Sequence, residues 1–144
     1  MKKNLYLLIL VAALLVYINQ HPELLNEPEW GQVTTGQTVE EAYRHQRSDV
    51  QLQGSGKVKR VLSDDNKGSR HQRFILELPS GLSLLVAHNI DLAPRIEGLR
   101  RGDEVGFYGE YEWNNQGGVM HWTHHDPAGR HVGGWLKHAG RTYE

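Results

Sequence analysis

From about residue 51 onward, apolar residues recur at every second position, which is the period of β-strands. In residues 103–113, for example, Val105, Phe107, Gly109, Tyr111 and Trp113 share one face. Turn-rich segments such as 64–69 and 114–118 separate the alternating runs. The pattern predicts five strands and a small C-terminal hairpin around Ala139 and Gly140, within 135–143; the strands are 56–62, 73–78, 82–88, 103–113 and 119–124.

Several of these strands contain glycine, at Gly56, Gly106 and Gly109. Glycine inside a strand is typical of bends and bulges, which a closed sheet requires. Five short strands joined by tight turns predict a mainly β fold, and the best match is a five-stranded OB-like barrel. An SH3-like barrel is the alternative.

The N-terminal pattern differs. Lys2 and Lys3 precede an uncharged apolar run at 5–18, which as a helix spans about 21 Å, short of a hydrocarbon core of about 30 Å. That length is typical of a signal peptide, but no A-x-A cleavage pattern follows the run. We therefore expect residues 1–18 to form an uncleaved signal anchor, with a cleaved signal peptide as the alternative. Because the positive end stays inside, the rest is expected to be extracytoplasmic, on the periplasmic face of the inner membrane.

Between the leader and the strands, residues 19–37 contain scattered Pro, Gly and acidic residues and are interpreted as a linker. Thr38 and Glu41 form a capping-box pattern that predicts a short helix over 38–48. Residues 49–144 then form the OB-like domain.

Composition narrows the chemistry. The absence of cysteine excludes disulfides, thiolate catalysis and Cys-ligated zinc. Residues 51–144 carry 12 basic and 11 acidic side chains, unlike the strongly basic profile of a dedicated nucleic-acid binder.

The candidate chemistry concentrates in residues 121–131, which hold four of the nine histidines. Imidazoles are common transition-metal ligands when cysteine is absent. On a strand, His124 and Asp126 would point the same way, and His131 would return after a turn at 126–129. A divalent transition metal held by His124, Asp126 and His131 is one interpretation. A ligand-contacting polar surface and a structural hydrogen-bonded corner are the others. The cluster's remaining candidates are His121, Trp122, His125 and Arg130.

Other polar positions are also candidates for ligand binding. Arg70, His71 and Arg73 border the loop at 64–69, where they would meet an anion or discourage edge pairing. His88 and Asn89 lie at the end of the third strand, where they would either form a turn or contact a ligand. Trp113 would stack on a ligand or belong to the core. The predicted loops 64–69 and 114–118 would frame a groove bearing Arg70, Arg73 and aromatic side chains, of the kind that OB-folds use.

Three segments together resemble a known family: Ser69-Arg70-His71-Gln72-Arg73-Phe74; Ala87 to Pro94; and Gly109-Glu110-Tyr111-Glu112-Trp113-Asn114 running into His121-Trp122-Thr123-His124-His125-Asp126-Pro127. This family of short bacterial proteins is known only as a domain of unknown function, and the resemblance covers roughly residues 50–144. It implies an OB-like domain in an exported or membrane-tethered protein, and it carries no activity or catalytic residue.

Three functional hypotheses remain from the sequence. The favoured one is a non-enzymatic, membrane-tethered binding module for an oligosaccharide, a nucleic acid or an envelope protein. The second is a metal-dependent hydrolase or phosphodiesterase that uses the His cluster. The third is a structural partner in envelope assembly.

Overall fold

The computed structural model describes residues 16, 17, 19, 20 and 37–144, and residues 35–144 form one compact unit. Residues 16, 17, 19 and 20 are helical. Most of the predicted signal anchor and linker lies outside the described residues. Within the described part of the chain, no helix has both the length and the hydropathy to cross a bilayer.

From residue 37 onward, the described chain begins with a short helix, α1 (Val39–Arg44), that precedes the strands. Thr38 accepts a hydrogen bond from the backbone N–H of Glu41, and the Glu41 side chain accepts one from the N–H of Thr38, so the expected capping box is present. The helix is shorter than predicted because Gln46 adopts a left-handed conformation (φ 52°). The N–H of Arg47 then donates to the carbonyl of Ala42, a pattern that closes a helix C-terminus.

Seven strands follow, and all belong to one sheet. They are β1 (Val50–Val61), β2 (His71–Glu77), β3 (Ser83–Asn89), β4 (Glu104–Glu112), β5 (Val119–His121), β6 (Trp135–His138) and β7 (Arg141–Tyr143). The first five close a barrel in the order β1-β2-β3-β5-β4 and back to β1. Only β3 and β5 pair in parallel. The predicted mainly β, five-stranded OB-like barrel is confirmed.

The remaining hairpin, β6–β7, extends the sheet beside the first half of β4, where Val105 pairs with His138 and Tyr108 with Trp135. It lies where the sequence predicted it, turning at Ala139 and Gly140.

Alternating side chains fill the barrel interior, as the period-two pattern requires. Helix α1 adds Val39 and Ala42 to the same core. The other fully buried core residues include Phe74, Leu76, Leu84, Val86, Val105, Phe107, Tyr111, Met120 and Leu136.

Strand β1 begins six residues earlier than predicted, at Val50 rather than Gly56. Its first half pairs with β4 and its second half with β2, so one long strand serves two neighbours. Gly54 hides this continuity in the sequence pattern. It lies where a Cβ would come within 2.8 Å of the Phe107 ring, so the position takes a glycine instead of an apolar side chain.

Strand β5 ends at His121 instead of the predicted His124. Trp122 has a left-handed backbone (φ 52°), which an extended strand cannot accommodate. Residues 122–134 therefore form a loop, called the His loop below. The sequence argument that aligned His124 with Asp126 on a strand does not apply to this loop.

Candidate functional site

The His loop is organised by Asp126. Its Oδ1 accepts the N–H of Ala128, and its Oδ2 accepts the N–H groups of Arg130 and His131. These backbone hydrogen bonds lower the pKa of the Asp126 carboxyl. The N–H of Gly129 also donates to the carbonyl of Asp126, which confirms the turn predicted at 126–129. The Asp126 carboxylate thus holds the loop in shape.

A buried histidine fastens the start of the His loop to the barrel. His88 Nε2 lies 3.0 Å from the carbonyl oxygen of Pro94, and Nδ1 lies 2.8 Å from Thr123 Oγ1. Because a carbonyl only accepts, Nε2 carries the proton and Nδ1 accepts from the hydroxyl. Burial lowers the pKa of His88 to about 4, so this imidazole is neutral. The nearby His124 is also buried, and its Nδ1 lies 2.8 Å from the carbonyl oxygen of His125.

The end of the loop carries a histidine whose two ring nitrogens both lie near oxygen atoms. The ring of His131 stacks on Trp122 at a centroid distance of 3.9 Å. Its Nδ1 lies 2.7 Å from the carbonyl of Val132, and its Nε2 lies 2.6 Å from Glu110 Oε2. Burial opposes charge here, but the hydrogen bonds to Glu110 and Val132 outweigh it and raise the pKa of His131. Both ring nitrogens of His131 therefore face oxygen acceptors, an arrangement that favours the protonated ring.

Three strands place a row of polar side chains on the outer face of the barrel. The row contacts the His loop through Glu110 and His131. Gln51 of β1 lies opposite Glu110 of β4, and Glu110 lies opposite His121 of β5. Glu112 lies two residues farther along β4 on the same face. His121 Nε2 is 3.3 Å from Glu110 Oε1 and 3.8 Å from Glu112 Oε1. We call Glu110, Glu112 and His121 the carboxylate–histidine cluster.

A third carboxylate adjoins this cluster. Partial desolvation, followed by the hydrogen bond and the charge of Asp49, raises the pKa of the Glu112 carboxyl. His121 and Ser48 act in the opposite direction. Asp49 thus places a third carboxyl group at the edge of the cluster.

The carboxylate–histidine cluster is the one group of three metal-ligating side chains that the described residues bring together, with ligand atoms within 4.8 Å of one another. The predicted set of His124, Asp126 and His131 does not form such a group. Asp126 accepts backbone N–H groups and His131 donates to Glu110, while His121 joins the two glutamates. The sequence carried a signal for these glutamates, because they occupy the polar face of the strand whose apolar face was identified.

The arginines and histidine near the first loop are engaged locally. Arg70 Nε donates to Asp91 Oδ1 at 2.7 Å, and its backbone N–H donates to Asp91 Oδ2. The backbone hydrogen bond, followed by the side-chain one, lowers the pKa of Asp91. His71 Nδ1 lies 2.8 Å from the carbonyl of Ser69, and Asn89 accepts the N–H of Asp91. Arg70 therefore ties the start of β2 to the residues that follow β3, whereas His71 and Asn89 make local contacts.

Arg73 and Trp113 belong to different surroundings. Arg73 Nε donates to the carbonyl of Ser63, and the side chain lines a cavity of about 470 Å³ with residues 64–67. Trp113 stacks on Tyr43 of α1 and donates its indole N–H to the Tyr43 carbonyl. The two predicted groove residues thus contact separate neighbours. His125 and Arg130 are exposed on the His loop.

A second concave surface lies on the outer face of β1 and β2, with a volume of about 640 Å³. We call it the basic groove; its lining residues are Lys59, Arg60, Val61, Ile75, Ser83 and Arg101. Arg60 lies opposite Ile75 across the strand pair, next to a bulge between Val58 and Arg60. At this bulge, Val58 exchanges backbone hydrogen bonds with Gly102 and Asp103, which brings Arg101 beside the groove.

Comparison with known proteins shows the family. The DUF3465 family model, described as a protein of unknown function, matches residues 25–144. The chain belongs to the DUF3465 family. No curated protein matches the chain. The family resemblance read from the sequence is thereby confirmed, and the His loop, the carboxylate–histidine cluster and the basic groove all lie within the DUF3465 match.

Proposed function

We propose that this DUF3465 chain is a non-enzymatic binding module that holds an anionic glycan in the basic groove. The observation that carries the proposal is the convergence of Lys59, Arg60 and Arg101 on one cavity. Lys59 Nζ lies 3.6 Å from Glu77 Oε2 and 3.3 Å from Ser83 Oγ, so it already has two partners. Among the described residues, Arg60 and Arg101 have no ion-pair partner, so both guanidinium groups are available to a ligand.

The groove also offers apolar contact. Val61 is 43% exposed, and Ile75 lies beside it on β2. Aliphatic side chains contact the C–H faces of sugar rings, while guanidinium groups bind carboxylate, sulfate or phosphate substituents in a bidentate manner. The combination suits a sugar polymer with regularly spaced acidic groups.

A nucleic-acid ligand is less favoured by the same residues. Sequence-independent binding of single strands uses aromatic side chains on which the bases stack. No aromatic residue is among those that line the basic groove in the described part of the chain. The described tryptophans contact the rings of Tyr43, Tyr108 and His131 instead.

The proposed module works outside the cytoplasm, held at the inner membrane by residues 1–18. Support comes from the sequence: two lysines before an apolar run, and no cleavage pattern after it. A reporter enzyme that is active only outside the cytoplasm, fused after Glu144, is expected to be active. If the only active fusion is one to a reporter that works in the cytoplasm, this placement is wrong.

The glycan proposal is tested by measuring the binding of an oligouronate to the full chain by isothermal titration calorimetry. We expect Arg60→Glu/Arg101→Glu to weaken binding by at least about tenfold, since one hydrogen bond to a charged group contributes about 1.5–3 kcal/mol. The matched control, Arg47→Glu/Lys137→Glu, makes the same charge change at exposed positions that do not line the groove.

Equal weakening by the groove variant and the control would mean that net charge, not the groove, attracts the glycan. If the wild-type chain binds single-stranded DNA more tightly than the oligouronate at equal ionic strength, the ligand class is wrong. Circular dichroism of each variant verifies that the barrel is folded.

A further inference from the structure

The carboxylate–histidine cluster contains a polar atom that the protein leaves unsatisfied. In the described residues, two buried side-chain nitrogens have no hydrogen-bond partner: His121 Nε2 and Gln51 Nε2. Both residues belong to the row Gln51–Glu110–His121 across β1, β4 and β5. A buried polar atom without a partner costs about 1–3 kcal/mol, so two in one row require an explanation.

Carboxylate oxygens of both glutamates lie near His121 Nε2. This nitrogen lies 3.3 Å from Glu110 Oε1, yet it makes no hydrogen bond with either glutamate. In a tetrahedral site with metal–ligand distances of about 2.0–2.1 Å, neighbouring ligand atoms lie about 3.3–3.4 Å apart. The separations of 3.3 Å and 3.8 Å from His121 to the two glutamates are thus close to those of ligands that share one ion.

The neighbouring groups fix the cluster for this role. His131 donates to Glu110 Oε2 and leaves Oε1 directed at His121. Hydrogen-bonded outer partners of this kind orient metal-ligating carboxylates. Asp49 adds a third carboxyl group beside Glu110 and Glu112, so the acidic side chains here outnumber the two histidines, which suits a bound cation.

We propose that Glu110, Glu112 and His121 bind one divalent transition-metal ion, with His131 as the residue that positions Glu110. An imidazole with two carboxylates suits Zn²⁺ or Mn²⁺, whereas Ca²⁺ and Mg²⁺ take oxygen ligands. Three protein ligands leave a fourth position for water. The site uses the outer face of β4 and β5, so it does not depend on the basic groove or on the proposed glycan.

The test is a calorimetric titration of untagged, chelator-treated full chain with Zn²⁺, repeated with Mn²⁺. We expect one equivalent to bind. His121→Ala and Glu112→Gln should each weaken binding by more than about 100-fold, because loss of even an outer partner costs about 10–100-fold. His131→Gln should weaken binding by about 10–100-fold, because His131 is an outer partner. Co²⁺ should give a visible absorption band that His121→Ala abolishes.

His125→Ala is the matched control, because His125 is exposed on the adjoining loop and lies outside the cluster. Its affinity for Zn²⁺ should equal that of the wild type. The proposal is overturned if the wild type binds neither ion, or if His125→Ala loses as much affinity as His121→Ala. It is also overturned if His124→Ala removes binding while Glu112→Gln keeps it, since the ion would then lie on the His loop. Glu112 is partly exposed, so Glu112→Gln stays informative if His121→Ala fails to fold.

Discussion

Single residues of the His loop explain why it takes its shape and why sequence reasoning did not foresee it. Trp122 turns the chain out of β5 with a left-handed backbone that no turn residue signals. Gly134 ends the loop by donating its N–H to the carbonyl of His124. Trp122 and Gly134 belong to no apolar periodicity in the sequence. Only the tertiary contacts show how these two residues help to bring His131 to Glu110.

Gly134 offers a direct test of this loop packing. A Cβ at this position would lie 2.2 Å from the carbonyl oxygen of Trp122 and 2.3 Å from that of Tyr108, and backbone atoms cannot yield cheaply. We expect Gly134→Ala to lower the free energy of unfolding by about 1–3 kcal/mol, the usual cost of overpacking. Urea denaturation followed by tryptophan fluorescence measures it.

Gly133 provides the adjacent control. Its added Cβ would meet no atom closer than 3.5 Å, and its backbone is not left-handed. Gly133→Ala should therefore change stability by less than about 0.5 kcal/mol, as do most surface substitutions. Equal losses at the two glycines would show that the close approach of the loop to β4 is not what Gly134 provides.

His88 makes stability depend on pH. Its pKa is about 4 in the folded chain against an ordinary value of 6.5, so it is neutral in both states above pH 6.5. As pH falls from 6.5 to 4, the unfolded chain takes up a proton that the folded chain refuses, and stability decreases. This shift corresponds to a loss of roughly 3 kcal/mol, complete below about pH 4.

Urea denaturation at a series of pH values measures this effect. His88→Gln keeps a side-chain amide that can donate to Pro94 but removes the titration. The variant should be less stable at pH 7, and its stability should fall less steeply between pH 6.5 and 4. Parallel curves for the two proteins would assign the pH dependence to other groups.

At the scale of elements, the period-two pattern predicted every strand of the barrel, because inward positions of a closed sheet must be apolar. Errors occurred at ends. Strand β1 was predicted to begin too late because Gly54 and Gly56 interrupt the apolar alternation, at positions where a Cβ would meet the Phe107 ring and the backbone oxygen of Glu77. Helix α1 was predicted too long, since Gln46 closes it without the glycine that usually marks such an end.

The candidate site illustrates a different limit. The sequence identified His121 and His131 as chemically interesting, but it grouped His131 with His124 and Asp126 and left His121 outside that set. Their actual partner is Glu110, which lies opposite His121 through strand register and receives His131 from a loop. Register between β4 and β5 depends on barrel closure, which sequence spacing alone does not specify.

At the scale of the whole molecule, closing the barrel gives the outer surface two distinct polar regions. The second half of β1 and β2 carry the basic groove, whereas the first half of β1, β4 and β5 carry the carboxylate–histidine cluster. A single long strand contributes to both. The near-neutral charge of residues 51–144 therefore conceals a separation of charge that only the fold reveals.

The barrel with α1 is expected to fold without the preceding residues. Every member of the hydrophobic core formed by the described residues lies between Val39 and Tyr143. A fragment of residues 35–144 should therefore unfold cooperatively, at the same urea midpoint as the full chain.

A fragment of residues 46–144 should be less stable by several kcal/mol, because it exposes the core surface that Val39 and Ala42 cover and leaves Trp113 without its Tyr43 partner. Urea midpoints of both fragments decide between a core that includes α1 and one that does not. Equal midpoints would show that the helix only rests on the barrel, and a non-cooperative 35–144 fragment would show that residues 1–34 contribute to the core.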